Sequence, residues 1–168
     1  MKHSVSAIYP GSFDPITRGH VDLVQRLSCF FNPLVLLVST SASKKYLFSL
    51  EERLTLARAC LKNIKAVKVV SYNGLTVEYA KRSNIKVIIR GVRAVSDFEY
   101  ELTMAAANKQ LFEECETFIA FTRPEYTHLS SQVVKEIASH GGDLSDWIPN
   151  PVALALKKKF LKKGNRQR

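Results

Sequence analysis

Five short runs of β-branched and aliphatic residues alternate along the chain with longer stretches of helical periodicity. The runs are Val5 to Tyr9, Leu34 to Thr40, Val67 to Tyr72, Lys86 to Ile89 and Thr117 to Ala120, and they read as strands. Helical patterns fit His20 to Phe30, Ser49 to Lys62, Thr76 to Arg82, Asp97 to Leu111, Ser131 to His140 and Val152 to Lys163. In the second of these, Leu50, Leu54, Ala57 and Leu61 fall on one stripe, and Ser49 followed by Glu52 makes a capping box at its start. A repeated strand-then-helix order specifies a parallel sheet with helices on its faces, so the expectation is an α/β fold with a five-stranded parallel sheet covered on both sides.

Composition allows this in one unit. A chain of 168 residues can hide roughly 70% of its unfolded surface in a single core. With 46% hydrophobic and 24% charged residues, extensive disorder is excluded. Cys29, Cys60 and Cys115 are odd in number and lack C-x-x-C spacing, which argues against a disulfide framework and against a zinc site; a reducing cytoplasm is expected. Apolar runs such as Leu34 to Val38 fall far short of the roughly 20 residues that span a bilayer, and the N-terminus has no signal-peptide h-region, so neither membrane insertion nor secretion is expected.

The formal charge of +10 suggests nucleic acid, because basic domains gain affinity by releasing counterions from phosphate backbones. Its distribution argues otherwise. Seven basic residues and no acid lie in Lys157 to Arg168, so the other residues carry 18 basic against 15 acidic groups. The chain accordingly divides into a folded unit, 1–156, and a basic helix end and tail, 157–168, which is expected to fray. No nucleic-acid partner is expected.

In open α/β sheets, ligands bind where loops leave the carboxyl ends of the strands, often at helix N-termini that favour anions. The seven glycines fit neither a P-loop nor a G-x-G-x-x-G fingerprint, so Walker-type NTPases and ordinary dinucleotide folds lose weight. Four strand ends nevertheless carry phosphate-compatible groups. After the first strand, Tyr9-Pro10-Gly11-Ser12-Phe13-Asp14-Pro15-Ile16-Thr17-Arg18-Gly19-His20 combines two prolines and two glycines in a loop, then opens a helix at Gly19-His20. His20 is read as a phosphate-facing group, with helix capping as its ordinary alternative; His3, His128 and His140 are read as surface groups. After the second strand, Ser43-Lys44-Lys45 offers paired ammonium groups. After the fourth, Arg90 and Arg93 flank Gly91 and Val92, able to grip separate phosphates, to form a rim of ion pairs with Asp97, Glu99 or Glu101, or to do both together. After the fifth, Ser130 and Ser131 read as helix caps whose N–H groups can also face a polyphosphate.

These segments together resemble the bacterial-type phosphopantetheine adenylyltransferase family. The residues that carry the resemblance are YPGSFDP with Thr17-x-Gly19-His20, Ser43-Lys44-Lys45, the segment Ile89 to Glu101 (IRGVRAVSDFEYE) and Ser130-Ser131. The T-x-G-H element is shared by a wider nucleotidyltransferase superfamily; the RGVRAVSDFEYE segment points to this member. The resemblance implies a Rossmann-like domain, transfer of AMP from ATP to 4′-phosphopantetheine with Mg²⁺, a homohexamer, and feedback inhibition by coenzyme A. It implies that Ser12 and Phe13 contact ATP, Ser12 also touching the acceptor phosphate, and that His20 stabilises the transition state. Lys44 and Arg90 would hold the acceptor phosphate, and Thr76, with Leu75, the pantetheine arm. Gly91, Val92, Arg93, Glu101 and the stretch Tyr126, Thr127, His128, Leu129, Ser130, Ser131 and Gln132 would bind ATP. Ser12, Thr76 and Gln132 depart from the family's usual threonine, apolar residue and serine.

The same residues would suit a relative of the same fold acting on another phosphate acceptor, which substrate dependence separates. An RNA-binding module is the alternative of a different class. It lacks interleaved exposed aromatics and an RNP-like signature. For Trp147 and Phe160 the sequence leaves both the core and an interface open, core packing being the more frequent role of such aromatics.

Overall fold

The computed structural model describes residues 4–41 and 43–164. Strands β1 (Val5–Gly11), β2 (Phe31–Ser39), β3 (Val67–Tyr72), β4 (Val87–Val92) and β5 (Glu116–Phe121) form one sheet in the order β3-β2-β1-β4-β5, and every pairing is parallel. The helices are α1 (Arg18–Leu27), α2 (Leu50–Leu61), α3 (Thr76–Arg82), α4 (Val95–Leu111), α5 (Ser131–Ser139) and α6 (Asn150–Gly164).

Side chains alternate across the sheet and build a core on each face. Ala7, Tyr9, Leu34, Leu36, Val38 and Ile89 pack with Leu23, Val24, Leu54, Ala57, Val134 and Val152, from α1, α2, α5 and α6. Ile8, Val35, Leu37 and Ile88 face the other way, onto Ala80 of α3 and Ile85, Cys115 and Phe112. Burial on both faces explains why β2 reads as an unbroken apolar run. Trp147 and Phe160 are half-buried and pack against the first of these cores.

The sheet reaches further than the sequence suggests. Pro10 and Gly11 continue β1, in register with Leu37 and Val38 of β2, and Arg90, Gly91 and Val92 continue β4, in register with Ile119, Ala120 and Phe121 of β5. Ladders on flanking strands override the turn preference of these residues, so Arg90, Gly91 and Val92 stand inside β4 and not beyond it. Helix α1 begins two residues earlier than the pattern indicates because Thr17 is its N-cap, and it ends at Leu27. Phe30, the last apolar position of that pattern, lies exposed in the following turn. Ser49 and Glu52 form the expected capping box. A 3₁₀ turn at Pro124–Tyr126, unforeseen in the sequence, interrupts the β5–α5 connection. Residues 157–164 continue α6, where Lys159 donates to Glu52 Oε2 at 2.8 Å. Residues 165–168 of the basic end and His3 lie outside the described residues.

From β1 the chain proceeds outward through β2 to β3, then returns to the other side of β1 for β4 and β5. The loops after β1 and β4 therefore part in opposite directions, opening a crevice at the carboxyl ends of these two strands.

Candidate active site

A cleft of about 620 Å³ occupies this switch point. The loop after β1 forms its floor. Phe13 holds a φ of +46°, a left-handed backbone costing on the order of 1–3 kcal/mol, and its buried ring packs edge-on against Tyr9 at 5.6 Å and His20 at 5.2 Å between centroids. Close approach explains two glycines. A Cβ at Gly11 would lie 2.8 Å from Phe13 Cζ, and one at Gly91 would lie 3.0 Å from Leu23 Cδ2 and 3.2 Å from Tyr9 Oη.

His20 sits in the first turn of α1, half-buried at the cleft wall. Thr17 and His20 close a capping box with a histidine in the place usually taken by Glu or Gln. The Thr17 N–H donates to His20 Nδ1 at 3.0 Å, and the Thr17 hydroxyl lies 2.9 Å from the same nitrogen. Burial, reinforced by the positive charge of Arg93, pushes the imidazole down to about 4, so it is neutral at pH 7. With Nδ1 accepting a backbone proton, the ring hydrogen belongs on Nε2. His20 is thus both the helix cap and a neutral N–H donor lining the cleft.

The arginines are held firmly. Arg90 forms a two-pronged pair with buried Glu101, its Nη2 donating to Oε1 at 2.7 Å and its Nε to Oε2, while Nη1 reaches the Pro10 carbonyl at 3.4 Å. Arg93 engages Asp97 through Nε and Nη2 at 3.1 Å each and donates from Nη1 to the Leu129 carbonyl at 3.1 Å. The sequence allowed a phosphate grip and an ion-paired rim together, and the geometry has both arginines on the cleft and both paired. Tyr9 lines the same cleft, and burial pushes its phenol well above the ordinary range, outweighing the opposing pull of Arg90 and Arg93.

On the far side, Ser130 caps α5 by accepting from Val133 N–H at 3.1 Å, and Ser131 Oγ donates to the Pro15 carbonyl at 2.8 Å. Neither α1 nor α5 carries an acid in its first turn, so their positive ends stay unneutralised. Asp14, fully buried, accepts from Leu47 N–H and Phe48 N–H at 2.9 Å each and from Lys135 Nζ at 3.0 Å, tying three elements together under the cleft.

The cleft brings together Ser12, Phe13, His20, Lys44, Arg90, Gly91, Arg93, Glu101, Leu129, Ser130, Ser131 and Gln132. Other predicted residues stand outside it. Val92 is buried in β4 and offers only its backbone. Tyr126 and His128 line an adjoining recess of about 400 Å³ with Arg18, Asp146 and Trp147, Leu129 being common to both spaces. His128 is exposed, as read, with its ring against Trp147 at 4.9 Å. Thr127 donates its hydroxyl to the Pro124 carbonyl at 2.9 Å and serves the turn. Thr76 opens α3, beyond the outer sheet strand β3 and outside the lining of either space. A larger recess of about 810 Å³, between the segment Ala138 to Asn150 and α6, holds none of the predicted residues.

Sequence reasoning gave no role to Tyr9, Tyr46 and Lys135, which line the cleft, or to Arg53 beneath it. Lys135 was detectable as the residue one helical turn beyond Ser131, whereas Arg53 gave no distinct signal, flanking the apolar stripe of α2 as Arg58 does on its other side.

No group of three or more His, Cys, Asp or Glu that could hold a metal occurs among the described residues. Asp14, Asp97 and Glu101 are each engaged by a cation or N–H groups. This donor set suits a magnesium ion that arrives on a polyphosphate better than one caged by protein.

A parallel sheet with a cation-lined switch point, a neutral histidine at a helix start and arginines at the end of β4 defines a nucleotidyltransferase of the cytidylyltransferase-like class, whose family model matches residues 8–137. Two solved structures share the fold: a putative nicotinate-nucleotide adenylyltransferase from Vibrio parahaemolyticus (TM-score 0.68, 18% identity, 94% of each chain) and the Plasmodium falciparum nicotinic acid mononucleotide adenylyltransferase complexed with NaAD (TM-score 0.67, 15% identity, 94% and 96%). Sequence relatives narrow the class. The chain is 49% identical to the phosphopantetheine adenylyltransferases of Dictyoglomus thermophilum, over 93% of this chain and 95% of that one, and of Thermotoga neapolitana, over 95% and 99%. It belongs to the phosphopantetheine adenylyltransferase family.

Proposed function

We propose that the chain transfers the adenylyl group of ATP to 4′-phosphopantetheine, forming dephospho-coenzyme A and pyrophosphate, by direct in-line attack of the acceptor phosphate on the α-phosphorus. The observation that carries this reading is the convergence of neutral His20, Lys44, Arg90 and Arg93 on one cleft in a chain with these relatives. A phosphate acceptor is already a nucleophile at neutral pH, so alignment and charge stabilisation suffice without a general base. That matches a site whose acids are all committed to holding its cations.

In this reading His20 Nε2–H donates to the oxygens of the α-phosphoryl group as they gain charge. Lys44 and Arg90 hold the acceptor phosphate. Arg93, the N-terminus of α5 and the Tyr126 to Gln132 stretch hold the nucleotide, with Ser12 and Phe13 beneath both substrates and Thr76 along the pantetheine arm. Mg²⁺ belongs with the triphosphate, where it supplies neutralisation of phosphate charge. The catalytic unit is 1–156.

The reading includes the family's homohexamer, feedback by coenzyme A and a cytoplasmic setting. Exposed apolar side chains on α4 and β5 support assembly, among them Val95 (85% exposed), Tyr100, Leu102, Phe118 and Phe121 (71%). Three free thiols suit a reducing compartment. Among the described residues no helix is long and apolar enough to cross a membrane.

Pyrophosphate release from ATP and Mg²⁺ that depends on 4′-phosphopantetheine, and not on nicotinate mononucleotide or glycerol phosphate, is the test. Release with either alternative acceptor instead overturns the acceptor assignment.

A further inference from the structure

Arg53 rises from α2 with only 1% of its surface exposed, and it does not touch the cleft. Its Nη1 donates to two carbonyls at once, Ser12 at 2.7 Å and Ser39 at 2.9 Å. These stand where β1 and β2 give way to the loops that follow them. The guanidinium carbon lies 4.2 Å above the Tyr46 ring, and the Tyr46 hydroxyl accepts from Ser41 N–H at 2.8 Å. One side chain therefore fixes Ser12, Ser39 and, through Tyr46, the segment that carries Lys44.

The electrostatics of Arg53 are unusual. Buried charges are ordinarily paired with an opposite charge, because desolvation of a lone ion is costly. Among the described residues no carboxylate forms an ion pair with Arg53. Its Nε is buried without a hydrogen-bond partner. Packing alone would be served by an apolar residue, as at Leu54 and Ala57 beside it on the same helix. A charge kept here suits anions bound just above the Ser12 carbonyl.

We infer that Arg53 is a positioning residue of the transfer reaction, locking the Ser12 loop and the Lys44 loop in one mutual geometry and lending them an unneutralised positive charge. This rests on the function proposed above. It makes its contribution through Ser12 and Lys44, which touch the substrates, and so belongs to alignment more than to ground-state binding.

The test compares wild type with R53M, which keeps an unbranched stem without charge, and R53K, which keeps charge without the planar face that stacks on Tyr46. Each is checked for folding by circular dichroism and then assayed for dephospho-coenzyme A formation. R53M is expected to lose about 10²-fold in kcat, the size of effect that a misplacement of about 1 Å produces, with the KM for either substrate changing only a few-fold. R53K, which restores the charge but not the stack on Tyr46, is expected to recover part of that loss. A folded R53M with wild-type kcat, or an R53K no better than R53M, overturns the inference. If R53M does not fold, R53Q takes its place in the same comparison with the same two overturning outcomes.

Amide exchange separates this inference from the functional reading. If the wild type makes no dephospho-coenzyme A, that reading fails. Faster exchange in R53M at 12–14 and 39–47, relative to the rest of β1 and β2, still supports the lock, and unchanged exchange there overturns it.

Discussion

Thr17 donates its backbone N–H to Nδ1 of His20 at 3.0 Å, and this one bond decides which ring nitrogen can serve the cleft. With Nδ1 occupied, Nε2 carries the hydrogen of the neutral ring. His20→Ala is expected to lower kcat by about 10²-fold, as removal of one preorganised donor does, with far less effect on ATP affinity measured by calorimetry. Unchanged turnover would refute the assigned role.

The protonation of His20 is measurable directly. In the free protein its ring should titrate near 4 in an NMR titration, well below the ordinary value of about 6.5, and it should move upward when a polyphosphate is added. Since the folded value is depressed, the unfolded chain binds the extra proton first. The contribution of His20 to stability is full above about pH 6.5 and is lost as pH falls toward 4. A midpoint near 6.5 in the free protein would contradict the buried, Arg93-facing environment.

Breaking the Arg90–Glu101 pair should cost both stability and substrate binding. Glu101→Gln removes the charge that faces a largely buried guanidinium, and a loss of about 3 kcal/mol is expected from urea denaturation. KM for the acceptor should rise as Arg90 loses its two-pronged hold. A variant as stable as wild type would mean that the pair is dispensable.

Asp14 should prove a structural residue beneath the site. Asp14→Ala orphans Leu47 N–H, Phe48 N–H and the Lys135 ammonium together, and about 3–5 kcal/mol of destabilisation is expected. A shift in the urea midpoint of less than half the amount that this figure implies would show that water replaces the carboxylate without penalty.

Much of the architecture was legible because it rests on local pattern. Ser49 and Glu52 announced α2, and the apolar run of β2 announced a strand buried on both faces. Strand ends were less legible. Pro10, Gly11 and Gly91 look like turn residues, yet they sit in the sheet because neighbouring ladders hold them there. The cleft itself was anticipated through groups that follow strands: Ser12, His20, Lys44, Arg93 and Ser130 converge as expected. Tyr9 and Arg53 escaped for opposite reasons. Tyr9 reads as an ordinary strand aromatic, and Arg53 hides inside a helix, its importance depending on carbonyls 41 and 14 residues away in sequence. Tyr126, Thr127 and His128 entered as part of the ATP-binding stretch that the resemblance implies, and the 3₁₀ turn at Pro124–Tyr126 sets Tyr126 and His128 on the recess that adjoins the cleft at Leu129.

The first turns of α1 and α5 contain no acid, whereas α2 carries Glu51 and Glu52 there. A free protein built this way gives up a few tenths of a kcal/mol at each of those two ends. The deficit is made good by whichever anion docks. Occupancy and folding are therefore linked by mass action, and the melting temperature should climb with ligand concentration, providing an assay that needs no turnover.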